Sequence, residues 1–215
     1  MVARPRPLHP AAFLAATIAL LVPAFAAHAE GFVAASVGRT DSRDLECGNA
    51  FQCERKDTGG TVRGGYQYTP WFGVEGRYFD LGKARTAGIA GTVTFPEPGG
   101  EVTGHADYSA KGLGIDVVLS WPVTDRISIS GTVGVARTEA KSSFTYDSPP
   151  GSGLVVTGLD VTHRGTNPYY GLGISFGLTP QLALSLEAER YRIDFGGSGT
   201  ASIDMLGGGL IYRFR

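Results

Sequence analysis

Two histidines, His105 and His163, are the only imidazoles beyond residue 29, and each has acids and hydroxyls close by in sequence. Asp107 and Ser109 follow His105, and Asp160 and Thr162 precede His163. Residue types of this kind can act as general base and nucleophile in hydrolysis or acyl transfer on lipid or peptide. A triad is defined by geometry rather than sequence proximity, and no nucleophile elbow, metal motif or phosphate-cradling loop accompanies them. Gly207-Gly208-Gly209 falls inside an alternating segment and serves packing. An enzyme working on lipid or peptide is therefore the alternative reading, and no catalytic residue, cofactor or metal site is assigned.

The cysteines are the second candidate for chemistry. Cys47 and Cys53 are the only two, six positions apart in one polar stretch. In an exported chain this spacing points to a local disulfide closing a seven-residue ring, worth about 2 kcal/mol through the chain-entropy term. A free or metal-bound pair is the competing reading, and neither histidine has ligand spacing to the pair.

Export itself is read from the first 29 residues. Arg4 and Arg6 precede an apolar stretch from Ala11 to Ala27, and Ala27-His28-Ala29 has the A-x-A form of a cleavage site. Residues 1–29 are expected to be a signal peptide and residues 30–215 the functional domain. Its removal takes two Arg and no acids, so 17 basic against 20 acidic residues leave a charge of −3. Nothing in that balance suits nucleic acid, which requires a concentrated cationic face.

The elements that must hold these residues show period-two alternation. Leu113, Ile115, Val117, Leu119 and Trp121 form one apolar face, and Tyr170, Leu172, Ile174 and Phe176 form another. Leu182, Leu184 and Leu186, and later Leu206, Leu210, Tyr212 and Phe214, repeat the pattern. Such segments are strands. The positions between them are mostly Gly, Ala and Ser with isolated charges, and 32 of 215 residues are Gly. A soluble barrel would expose Lys, Glu and Thr there, whereas a narrow lumen demands small and polar groups and lipid demands the aliphatic face. Tight joints at Pro70, Pro122 and Pro180 alternate with longer polar stretches. Three short turns and four longer loops predict an all-β, eight-stranded, antiparallel up-and-down transmembrane β-barrel. Its strands are expected near 31–40, 58–68, 72–82, 106–121, 126–141, 166–178, 182–193 and 200–214, with loops over Lys83 to Gly104 and Ser142 to Gly165. Tyr66, Tyr68, Trp71, Phe72, Trp121, Tyr212 and Phe214 should form an aromatic girdle at the short-turn end, opposite Tyr78 and Tyr170.

Several segments resemble the OmpA-like transmembrane domain. Gly64-Gly65-Tyr66-Gln67, Pro70, Gly73-Val74-Glu75 and Asp80-Leu81-Gly82 look like its second and third strands. Trp121-Pro122-Val123-Thr124-Asp125 resembles its next turn, and Leu178-Thr179-Pro180, Leu186-Glu187 and Met205-Leu206 through Phe214 resemble its last strands. The resemblance implies a bacterial cell outer-membrane barrel without the peptidoglycan-binding domain, inserted by the outer-membrane assembly machinery. It implies a structural or surface-interaction role such as membrane integrity or adhesion, with a narrow pore also within the family's range. Expected partners are outer-membrane lipids and lipopolysaccharide and a surface ligand of the outer loops, on a monomer. Arg43, Arg55 and Lys56 with Asp44, Glu46 and Glu54 give the first loop mixed charge suited to such contacts.

Alternation assigns Glu75, Arg77, Asp116, Glu187, Glu189 and Arg213 to the lumen, with Arg63 as a further member. Unpaired charges in so narrow a space are costly, so these should form a network. Glu75 falls where the family's gating glutamate sits. Ser185, Val118 and Ser175 fall at its arginine, lysine and second glutamate, so that gate does not transfer. The expected network joins Glu75, Glu187 or Glu189 to Arg77 and Arg213.

Overall fold

The computed structural model describes residues 30–43, 52–92, 101–147, 159–196 and 199–214. The predicted signal segment and Cys47 lie outside the described residues. The strands are β1 (Glu30–Ser42), β2 (Gln52–Glu54), β3 (Lys56–Thr69), β4 (Phe72–Thr92), β5 (Glu101–Pro122), β6 (Ile127–Asp147), β7 (Leu159–Gly177), β8 (Leu182–Asp194) and β9 (Thr200–Phe214). All pairings are antiparallel: β3 to β9 pair in sequence order, β1 pairs with β3, and the three-residue β2 pairs with β4. β1 also pairs with β9, from Gly31↔Phe214 to Ser42↔Ile203, and so closes an eight-stranded barrel. The fold class read from the sequence is the one observed.

Facing follows the alternation. Val37, Leu113, Ile115, Leu172, Leu186 and Leu206 stand exposed on the outer wall. Ala34, Thr61, Glu75, Arg77, Asp116 and Glu187 are buried inside. In water so many exposed aliphatics would be a liability. Against hydrocarbon they are the solvated face. Tyr66, Tyr68, Trp71, Trp121, Tyr212 and Phe214 are exposed at the short-turn end, with Phe72 half-buried beside Trp71 at a ring distance of 6.2 Å.

Two short turns share one device. Thr124 Oγ1 accepts from the Ile127 N–H at 3.0 Å, and Thr179 Oγ1 accepts from the Leu182 N–H at 2.9 Å. In each a hydroxyl satisfies backbone donors that the turn would otherwise strand.

The long loops are shorter than expected. β4 continues past residue 82 to Thr92, β5 begins at Glu101, and β6 and β7 reach Asp147 and back to Leu159. A bulge carries β4 through: the register shifts between Asp80 and Lys83, and Gly82 takes φ +75°. Glycine adopts that conformation without steric penalty. The Lys83 N–H then donates to Asp57 Oδ2 at 2.5 Å, and the ladder resumes. Toward the outer halves of β4, β5 and β6 the pattern inverts. Ala84, Ala106, Ala110, Ala136 and Ala140 are buried inside, while Arg85, Lys111, Arg137 and Lys141 face outward. An apolar interior with a charged exterior is what water requires, so the inversion marks where the wall leaves the bilayer.

Candidate functional site: the filled lumen

Three inner tiers follow one another from the short-turn end outward. The first is a polar vestibule of about 70 Å³ bordered by Ser128, Ser130, Ser175, Ser185 and Arg213. Ser128 and Ser175 share a hydrogen bond of 2.7 Å across β6 and β7. Glu187 Oε2 and Ser185 Oγ are buried at its inner limit without a protein partner among the described residues.

Charge fills the second tier. Arg77 on β4 donates from Nε to Asp116 Oδ2 at 2.8 Å, from Nη2 to Glu75 Oε1 at 2.5 Å, and from Nη1 to Glu189 Oε1 and to Tyr191 Oη, the last at 3.2 Å. Its guanidinium carbon lies 4.7 Å from the centre of the Tyr169 ring. Tyr169 donates to Asp116, and Tyr191 donates to Glu189 Oε2 at 2.7 Å. A planar cation with five donors can bind three carboxylates and a phenol at once, which a lysine could not do. Below it Arg63 pairs with Glu187 and approaches Glu75 Oε1 at 3.8 Å. The donors Arg63 and Arg77 stand on the paired strands β3 and β4, and Tyr169 and Tyr191 on the paired strands β7 and β8, so the network stitches opposite walls together.

The third tier is apolar. Phe79 and Tyr191 rings lie 4.5 Å apart, and Tyr169 stacks on Tyr191 at 5.3 Å and 20°. Ile193, Ile203, Met205 and Phe195 continue the layer, and Tyr108 packs edge-on to Phe195 at 5.7 Å. Glycine makes the space. A Cβ on Gly114 would lie 2.8 Å from Tyr169 Oη, and one on Gly134 would lie 2.8 Å from Tyr169 Cζ. The wall thus retreats where the largest ring enters.

Of the predicted lumen residues, Glu75, Arg77, Asp116 and Glu189 meet in one cluster, and Glu187 meets Arg63. Arg213 stands apart at the vestibule, and no ion pair reaches it among the described residues. The aromatic tier was not anticipated. Its signal was a series of apolar doublets, Tyr78-Phe79, Tyr169-Tyr170 and Met205-Leu206, where both faces of a strand are apolar at once. His105 and His163 lie on β5 and β7, and His163 Nε2 sits 3.5 Å from Asp194 Oδ2 at the outer end of β8. No hydroxyl bonds to that pair among the described residues.

Residues 12–214 match the outer membrane protein beta-barrel domain family. The chain belongs to this family. As a member it is a protein of the bacterial outer membrane. Outer membrane protein A of Salmonella typhi is 29% identical over 157 residues, covering 70% of this chain and 38% of that protein. Outer membrane protein A of Klebsiella pneumoniae is 27% identical over 178 residues, covering 78% and 45%. The chain therefore spans about two-fifths of the length of these relatives. Neisserial surface protein A superposes with a TM-score of 0.57 at 13% identity, covering 86% of this chain and 97% of that one. A major outer membrane protein of Thermus thermophilus gives 0.50 at 15%, covering 87% and 100%. At these identities the likeness is one of fold.

Proposed function

We propose that this barrel is a closed structural and surface-interaction platform of the outer membrane, working through its outer rim rather than through its lumen. The observation that supports it is the stacking of two different seals, the Arg77 ion cluster and the Phe79–Tyr191–Tyr169 layer. An ion entering from the vestibule would have to displace buried guanidinium–carboxylate bonds and then cross an apolar layer. Either barrier is high in a low-dielectric space. The strands that rise beyond the aliphatic band then serve as rigid stalks for the loops, on which recognition is commonly carried.

On this reading residues 1–29 direct export, and the aromatic end of β9 is read by the assembly machinery. The barrel is a monomer that contacts lipopolysaccharide and a surface ligand. No catalysis is assigned to it. His105→Ala and His163→Ala should leave lipid A and peptide profiles unchanged.

Planar-bilayer recording of the refolded chain tests the closed lumen directly. Insertion without resolved current steps is expected. A steady single-channel conductance in the wild type would overturn it, and loss of that conductance in Glu75→Ala would return the cluster to a gate.

A further inference from the structure

On the outer wall, one ladder row runs across five strands: Tyr170↔Arg190 (β7–β8), Arg190↔Asp204 (β8–β9), Asp41↔Asp204 (β1–β9) and Asp41↔Lys56 (β1–β3). Arg190 grips Asp204 with two bonds, Nε to Oδ1 at 2.5 Å and Nη2 to Oδ2 at 2.8 Å, and Arg43 Nε reaches Oδ2 at 2.6 Å. One repeat nearer the bilayer, Arg39 lies opposite Leu206, in a row that continues through Ala188 to Leu172. Leu172 and Leu206 are 69% and 61% exposed, so this row belongs to the aliphatic band. Arg39 is exposed there and has no carboxylate partner within 4 Å among the described residues.

These side chains surround a concave site of about 480 Å³. Arg39, Arg43, Lys56 and Arg190 set four cations against Asp41 and Asp204, leaving +2 on the outer face of a chain whose formal charge is −1. Glu189 borders the site from within, but Arg77 and Tyr191 hold both its oxygens. A guanidinium in an aliphatic row is unfavourable unless it reaches an anion at headgroup depth. Two guanidiniums clamped on one carboxylate are held in position with donors to spare, which suits the oxygens of a phosphate.

From this charge complementarity we infer that the outward face of β7, β8, β9 and β1 is a binding site for the phosphorylated headgroup of an outer-leaflet glycolipid. Its acyl chains would lie on Leu172 and Leu206, and its phosphate would sit between Arg39 and Arg190. The inference rests on the proposed membrane platform and names the lipid chemistry that the platform takes.

The test is native mass spectrometry of the full chain refolded into phosphatidylcholine nanodiscs doped with bisphosphorylated lipid A or its dephosphorylated form. The wild type should retain the bisphosphorylated lipid about tenfold more strongly, the scale of one charge-assisted contact. Arg39→Gln with Arg190→Gln should remove that preference, and Arg137→Gln, outward on β6, should keep it. Heat-modifiable gel mobility checks folding. Should the double variant not fold, Arg39→Gln alone carries the test, because no ion pair depends on it. Equal retention of both lipids by the wild type, or equal loss in Arg137→Gln, would overturn the inference. Displacement by free tripolyphosphate at equal concentration would make the site one for soluble anions and overturn the lipid assignment. A chain that does not enter nanodiscs would instead defeat the platform reading itself.

Discussion

At the scale of single residues, Arg77 carries the interior. Its single guanidinium bonds to three lumen carboxylates, those of Glu75, Asp116 and Glu189. Arg77→Met keeps most of the volume and removes the charge. It should cost about 3–5 kcal/mol in urea unfolding from lipid vesicles, the range for breaking a buried pair. The rim offers a weaker case. Glu139 lies beyond the aliphatic band, and a hydrogen bond from the Arg164 guanidinium, then the charges of Arg164, Lys111 and Lys141, hold its carboxyl below the ordinary carboxylate value. A carboxyl lowered in the folded chain adds stability above its unfolded value of 4.5 and loses it as pH falls through the folded value. This contact should therefore open only below that pH. An NMR titration should place the Glu139 midpoint higher in Arg164→Gln, and an unchanged midpoint would remove Arg164 as the cause. The lumen acids were legible because parity fixes which side of a strand a charge takes. Their partners were less so: Arg63 holds Glu187 while Arg213 stays at the vestibule. Cross-barrel distance depends on strand stagger, which no single strand encodes.

Alternation governs the strands, and its inversion was as readable as its presence. Ala84 and Thr86 against Lys83 and Arg85 already alternate beyond Gly82, yet the glycine and the polar character of the stretch read as a loop. Water solvates the exterior there, so polar outward residues are the strand signal rather than evidence against one. Within the bilayer the opposite holds. Leu184→Arg on β8 puts a cation against hydrocarbon and should cost about 2–4 kcal/mol if it lies near the midplane. Ser185→Arg, one residue on, faces the vestibule beside the free Glu187 oxygen and should cost clearly less. Urea midpoints of the two variants decide the matter, and equal losses would contradict the assigned facing.

For the molecule as a whole, the barrel is a membrane protein turned partly back toward a soluble one. Its outside is aliphatic in one band and charged above it, and its inside passes from serine to ion pairs to aromatic rings. Fold class followed from sequence because closure, turn spacing and facing are all local or periodic. The aromatic seal did not, because an inward apolar residue looks the same as an outward one until register is known. Within the bilayer, residues 183, 185 and 187 of β8 are enclosed and residues 184, 186 and 188 meet lipid. Nitroxides placed singly at residues 183 to 188 in vesicles measure this by collision with oxygen and with a water-soluble nickel complex. Oxygen should dominate at 184, 186 and 188, with neither reagent reaching 187. Nickel access at 184 and 186, or no alternation along the strand, would contradict the account.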